Sequence, residues 1–393
     1  MEVYILDSLF RRIQVVDDFQ SLIWTERFSA YGDFKLTVLS TLENRNRFVA
    51  GTRLAMSDSY RVMTVETFED TTDDDGKPLI NLSGRSIEAI LDDRVARPVL
   101  SDTTTAPKWT LTGKPIDIAN LVFHEICVEA ILDPGDLIPN VIEGSIFPPD
   151  TIAPPADFIT VDIDPASVYT VIQNLANLYD FGFRLIRTGD SPQLYFDIYT
   201  GNNLTSTQTI YPAVIFSPNL DNLQNTREVT TIASYKNVAY VISPVGHAVV
   251  YPIDVPSNIS GLDRHVLLVN ADDINDPDPA VAMAQMIQRG QEQLSQNRRL
   301  SGFDGEISQD SVYKYGRDYN LGDLIELQNV DGVINEMRVT EQIFTSDEQG
   351  ESSYPTLTLS TFVTPGSWTA YQPTEQVWHD LDPDTTSVWA NQE

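Results

Sequence analysis

The residues that could do chemistry in this chain are spaced poorly for doing it. A nucleophile elbow flanks its serine with two glycines, so that a strained turn can expose the hydroxyl. Gly84-Arg85-Ser86-Ile87-Glu88 has only the first of them, and Ser86 reads instead as the cap of a short helix. His124, His247, His265 and His379 are scattered, with no HExxH spacing to set two imidazoles on one helical face. No GxxxxGKS, GxxxxGKT or GxGxxG stretch offers a phosphate cradle. The single cysteine, Cys127, excludes an internal disulfide and any thiolate cluster built by this chain alone. It lies in a helix-like stretch around Ile118 to Ile126 and reads as a small buried apolar side chain.

The acidic runs read the same way. Asp73, Asp74 and Asp75 before Gly76 suggest a calcium loop, but its first ligand would be Thr71 and its twelfth Leu82. The bidentate glutamate is missing, so a solvated turn is expected. Asp272, Asp273, Asp276 and Asp278 precede a helix, where negative charge meets the positive end of the macrodipole; a calcium ion is the alternative there. Paired carboxylates for glycoside hydrolysis are defined by a distance in space, which sequence does not give. No residue is therefore assigned a catalytic, cofactor-binding or metal-binding role, no cofactor is expected, and the chain is read as not an enzyme.

Charge narrows the partners. Lys and Arg total 25 against 57 Asp and Glu, a net charge of −32. A phosphate backbone attracts the opposite sign, so a grip on nucleic acid is not expected. The excess suits either plain solubility or a surface that must not stick to a passing polyanion. No apolar run approaches the roughly 20 residues of a membrane span. The opening MEVYILDSLFRR lacks the basic region and long apolar core of a signal peptide, and reads as a strand in a chain made in a cytoplasm.

With 393 residues, 41% of them hydrophobic, more than one core is expected. Phe34, Leu36 and Val38 alternate with Lys35 and Thr37, the period of a half-buried strand. Tyr60 to Phe68 and Leu79 to Ser83 flank TTDDDGKP, whose Asp-Gly step suits a turn between paired strands. Ile87, Ile90, Leu91 and Val95 suggest a short helix. Seven prolines between Pro134 and Pro165 leave little regular structure over 133–165, which reads as an arm packed on a neighbour. A helix follows, capped by Asp164, with Pro165 first, a stripe of Val168, Val171, Ile172, Leu175 and Leu178, and Gly182 as its stop. Phe183 to Arg187 and Leu194 to Tyr199 read as a hairpin. Later strands fall at Asn237 to Ile242, Leu324 to Leu327, Met337 to Ile343 and Leu357 to Phe362, with a long helix starting at Asp278-Pro279 and running to about Asn297.

These elements predict a mainly β, α+β chain: two barrel-like β domains around a mixed α/β middle part, plus an extended arm. The expected parts are 1–98, a first barrel-like domain; 99–209, the mixed middle with its proline-rich arm; 210–362, a second barrel-like domain with the helix near 279–297 inserted; and 363–393, an acidic tail. No Lys or Arg follows Arg338, and Trp368, Trp378 and Trp389 are spread through that polar tail. Large aromatics are strong interface anchors, so the three indoles are read as a partner interface.

Several stretches together resemble minor tail proteins of siphoviruses that infect actinobacteria. They are MEVYILDSLFRRIQVVDDFQSLIWTERFSAYGDFKL, GTRLAMSDSYRVMTVE and GRSIEAILDDRV, then YDFGFRL, LYFDIYTG, VIFSPNLDNL and YKNVAYV, and finally FDGEI, YGRDYNLGDLIEL, VTEQIF and YPTLTL, over roughly residues 1 to 362. The resemblance implies a baseplate hub at the distal end of the virion's tail, similar to the hubs of contractile tails. It implies a homotrimer in which two barrel-like domains per subunit match a sixfold tube. Its partners would be the distal tail or tube protein above and a spike, fibre or tape-measure protein at the tip, with DNA passing unbound. A tail-associated wall or capsule hydrolase and a carbohydrate-binding adhesin are the alternatives.

Overall fold

A computed structural model describes residues 1–73, 75–98, 108–189, 191–252, 255–295, 297, 300–307, 313–328, 334–348 and 350–359. Residues 1–359 form one compact unit. The tail from 360, with Trp368, Trp378, Trp389 and His379, lies outside the described residues.

The chain is mainly β, with several sheets and four α-helices among the described residues. Alternation at the N-terminus does what it predicts. In the strand Asp33–Leu39, Phe34, Leu36 and Val38 are buried while Lys35 and Thr37 face away. That strand pairs with Phe19–Arg27 on one side and Pro78–Arg85 on the other, and Pro78–Arg85 pairs with Thr67–Thr72 across the expected turn. A four-stranded sheet of Arg12–Val16, Val3–Leu6, Arg53–Met56 and Val62–Thr64 contributes to the same core, which contains Val3, Trp24, Phe34, Leu36, Phe48 and Leu54. The short helix α1, Leu42–Arg47, is capped by Thr41 and belongs to this block.

The middle of the chain builds a second core. Helix α2, Pro115–Phe123, runs on into a π-helical turn, His124–Val128, and packs with α3, Val168–Tyr179, over the hairpin Gly182–Arg187 and Leu194–Tyr199. Phe123 and Phe196 stack here with centroids 3.6 Å apart.

Several local expectations are corrected. α3 is capped by Ser167, whose hydroxyl accepts from Thr170 N at 3.1 Å, and not by Asp164. Ala166–Ser167 is held extended by pairing with Val95–Ala96, so the helix cannot begin earlier. Asp180, at φ 56°, ends α3 in the left-handed region in place of Gly182. Gly182 is required for another reason: a Cβ there would lie 2.4 Å from the Phe28 ring. The Ile87 helix is a 3₁₀ segment, Ile87–Asp93, with Val95 outside it and exposed.

The stretch 133–165 is also more ordered than its prolines predict. Past Pro155 the residues ITVDI alternate, and Ile159–Ile163 pairs with Trp109–Gly113. Val141–Glu143 adds a parallel strand to Leu194–Phe196. Asp150 accepts from Thr200 N at 2.7 Å, and Phe147 lies under the Arg184 guanidinium. This stretch packs on its own chain.

A third core gathers Leu204, Phe216, Tyr319, Ile325, Met337, Val339 and Leu357. Its strands are Leu324–Gln328, Ile334–Asp347 and Gly350–Leu359, and the sheet continues through Leu300–Ile307 to Leu223–Thr231. Between Thr231 and Leu300 the chain leaves this sheet and makes a small satellite layer. Gly246–Val250, Val238–Ser243 and Val266–Asn270 form a three-stranded sheet, backed by α4, Pro279–Ser295. α4 starts as expected, with Ala280 N donating to Asp278 Oδ1 at 2.9 Å.

Candidate functional site

The strand Ile334–Asp347 joins the first and third blocks. Its early residues pair with Leu324–Gln328, and its later ones, Glu341–Ser346, pair with Leu22–Arg27. Strands far apart in sequence thereby form one ten-stranded sheet.

Behind this seam sits a cluster of buried polar groups from every block. Arg61 and Glu88 form an ion pair with side chains 2% and 0% exposed. Glu88 also accepts from Leu185 N at 2.8 Å, and Arg61 donates to the Arg27 carbonyl at 2.9 Å. Burial disfavours the Arg61 cation, but the carboxylates of Glu88 and Glu26 more than offset it. Glu26 accepts from the hydroxyls of Ser59 and Tyr315, the latter at 2.9 Å. Burial lifts the Glu26 pKa above the ordinary carboxylate value, and burial plus the Glu26 charge hold Tyr315 well above its own. Arg61, Glu88 and Glu26 are buried, while Ser59 and Tyr315 are partly exposed. The cluster fastens elements together.

The face of the sheet turned away from the cores is different in kind. Side chains directly opposite one another on paired strands share a face. One row across the sheet reads Ser21, Thr37, Asn81, Glu69. The next reads Ser352, Thr345, Ile23, Lys35, Ser83, Thr67. Thr37 donates to Asn81 at 2.9 Å, Asn81 to Thr71 at 3.1 Å, and the Thr345 and Ser352 hydroxyls meet at 3.1 Å. Lys35 and Glu69 are the charged members of these rows, one of each sign. Beyond them Arg27 is matched by Asp33 and Glu341, each at 2.5 Å. In a chain of net charge −32 this face is close to neutral and rich in hydroxyls and amides.

The residues picked out by type do not converge. Ser86 sits at the start of the 3₁₀ segment, but its hydroxyl accepts from Gly32 N at 2.7 Å and caps nothing. His124 is half-exposed between Glu143, at 2.7 Å, and Glu129, at 3.3 Å; its hydrogen bond to Glu143 raises its pKa. His247 and His265 belong to the satellite layer. Cys127 is buried in the π-helical turn, where desolvation pushes its thiol up to about 12. Asp73 accepts from Lys77 N at 2.7 Å within its turn. Asp273 pairs with Arg289 at 2.9 Å, and Asp276 and Asp278 accept backbone N–H groups at the start of α4. Among the described residues, no group of three or more His, Cys, Asp or Glu could hold a metal ion. No described helix is long and apolar enough to cross a membrane.

The family described as Siphovirus ReqiPepy6 Gp37-like protein matches residues 2–357. The chain belongs to this family. Among curated proteins none matches its sequence. Among solved structures, this Gp37-like chain is similar to the tail protein of Neisseria meningitidis MC58, at 13% identity and a TM-score of 0.54, covering 94% of this chain and 98% of that one. It is also similar to the 43 kDa tail protein of prophage MuSo2 from Shewanella oneidensis, at 14% identity and a TM-score of 0.52, over 91% and 98%. At such identities the likeness is one of fold, and it spans nearly the whole length of each relative. The polar sheet face had no motif to announce it: alternation turned Lys35 and Thr37 outward and Leu79 to Ser83 read as a strand, but that these strands lie side by side, and in one sheet with Ile334–Asp347, was not legible.

Proposed function

We propose that this chain is a structural subunit of a phage tail tip, of the baseplate-hub kind, with no catalytic role. Three copies form a ring at the distal end of the virion tail, joining the tube or distal tail protein above to spike, fibre or tape-measure proteins below. Two barrel-like blocks per copy give six similar wall segments, which matches a sixfold tube without six chains.

The observation that carries this reading is the continuous sheet with its neutral outer rows. DNA passing a wall meets three kinds of surface. A basic wall would hold it through its phosphates, and a densely acidic one would oppose its entry. Hydroxyl and amide rows with balanced charge do neither. In this reading Ser21, Thr37, Asn81, Thr345 and Ser83 face the channel, while the excess acid of the chain lies elsewhere. Family membership and the tail-protein fold support the same assignment.

A reconstruction of the tail tip tests it. Three copies are expected, with these rows on the lumen. Six copies, one copy, or a lumen lined by another protein would overturn the proposal.

A further inference from the structure

The satellite layer hangs on the large sheet by one stem. The chain leaves that sheet after Thr231 and re-enters it at Leu300, and these two residues are register partners on adjacent antiparallel strands. Just beyond them Lys236 N donates to the Asn297 carbonyl at 2.8 Å. Both connections therefore pass through one narrow point. The layer also keeps its own core. Among the described residues, Ala239, Val241, Val250, Val269, Met286 and Leu294 belong to a buried apolar cluster separate from that of the middle block. A body with its own core on a two-strand stem can turn without unfolding.

Polar groups hold it against the middle block. Gln285 donates to the Asp162 carboxylate at 2.6 Å, and Gln288 accepts from Asp162 N at 3.3 Å. Beside them four charges meet. The middle block supplies Lys108 and Asp164, and the satellite supplies Arg289 and Asp273. Arg289 reaches Asp164 at 3.0 Å while Lys108 reaches Asp273 at 3.5 Å, so each body gives one cation and one acid to the other. Asp164 is available for this because Ser167 caps α3 in its place. The two acids are almost half exposed, at 45% and 44%, which leaves the pairs open to screening by salt. The same residues border a cavity of about 590 Å³ between α3 and α4. Val171, Leu175 and Leu178 line it from α3, and Gln285, Gln288 and Glu292 from α4. A close-packed apolar seam would fix the two bodies, whereas a cavity bordered by ion pairs leaves them free to part.

We propose that the satellite layer is a hinged module, turning on the Thr231–Leu300 stem and latched to the middle block by the crossed pairs Lys108–Asp273 and Arg289–Asp164. The device lies within one chain, so it stands or falls apart from the ring assignment. Double electron–electron resonance on the full-length protein tests it. Spin labels go on Leu262→Cys in the satellite and Leu121→Cys on α2, both exposed positions, while buried Cys127 stays unlabelled. One distance is expected at low salt. In about 1 M NaCl, where the screening length is about 3 Å, a second distance should appear. Lys108→Ala combined with Arg289→Ala should show it at low salt, raising the ratio of open to closed molecules roughly tenfold, as the loss of two weak surface pairs allows. Arg289→Lys should keep the parent distribution. A second pair of labels, Leu262→Cys with Val245→Cys, lies within the layer and should read one unchanged distance throughout. A change there means that the layer unfolds instead of turning, and overturns the hinge. A single distance between positions 262 and 121 in every salt and variant overturns hinge and latch together. A second population that responds to neither overturns the latch.

Discussion

Arg338 and Asp180 meet at 2.7 Å, joining the strand that spans the first and third blocks to the left-handed end of α3. Arg338 is almost fully buried and also donates to the carbonyls of Thr200, at 2.8 Å, and Gly322. Its guanidinium lies 5.2 Å over the Phe28 ring. One side chain therefore ties together the helix end, the loop after the middle hairpin and the sheet. With Arg61 and Glu88 it helps make residues 1–359 one compact unit.

Breaking the buried Arg61–Glu88 pair from one side should be costly. Glu88→Leu strands a guanidinium with 2% exposure and removes the acceptor of Leu185 N. The expected loss is about 3–5 kcal/mol in denaturant unfolding. Adding Arg61→Met should recover much of it, because two apolar groups leave no buried charge. A single-variant loss below about 1 kcal/mol would mean that water reaches the site.

Asp323 gives a defined pH response. Burial lifts its carboxyl from the ordinary range to about 6, although it accepts from Asn202 N and Asn320 N at 2.7 Å each. The folded state then holds a proton that the unfolded state has already released. This contribution to stability is full below the unfolded pKa, near 4, and is lost as pH rises through about 6. Its size is on the order of 3 kcal/mol, at 1.36 kcal/mol per pKa unit. Asp323→Asn should flatten the stability profile between pH 4 and 7 relative to the parent. Parallel profiles would refute the assignment.

Gly201 and Gly322 touch backbone to backbone. Gly201 sits at φ +80°, and a Cβ there would lie 2.2 Å from the Gly322 carbonyl oxygen. Gly51, at φ +88°, has open space around the same position. Gly51→Ala should cost about 1–2 kcal/mol, the left-handed penalty alone. Gly201→Ala adds overpacking of about 1–3 kcal/mol. Equal melting temperatures for the two variants would contradict this ordering.

Truncation after Phe362 tests the expected partner interface of Trp368, Trp378 and Trp389. Burying one indole contributes roughly 2–3 kcal/mol before ordering costs, so three can hold an arm where one cannot. The shortened protein should fold and associate normally, while tail tips assemble poorly or lose a component. Fully infectious particles carrying the truncation would show that the segment anchors nothing.

Much of the local structure was legible because it depends on near neighbours in sequence. Alternation at Phe34, Leu36 and Val38, the Asp-Gly turn, the stripe of α3 and the Asp278-Pro279 start of α4 all follow from backbone geometry and the apolar period. The errors lie where a distant strand intervened. Ser167 displaced Asp164 as a cap because Ala166–Ser167 pairs with Val95–Ala96, and Gly182 is demanded by Phe28, which is remote in sequence. The sequence by itself determined the mainly β character, the acid excess and the absence of recognised catalytic motifs. Only the tertiary structure decided that Phe19–Arg27 pairs with Ile334–Asp347, that Arg61, Glu88 and Glu26 share one buried cluster, and that the satellite sheet bares Tyr240 and Leu268. The reason is physical: periodicity shows that a strand has two faces, but what covers each face depends on residues hundreds of positions away.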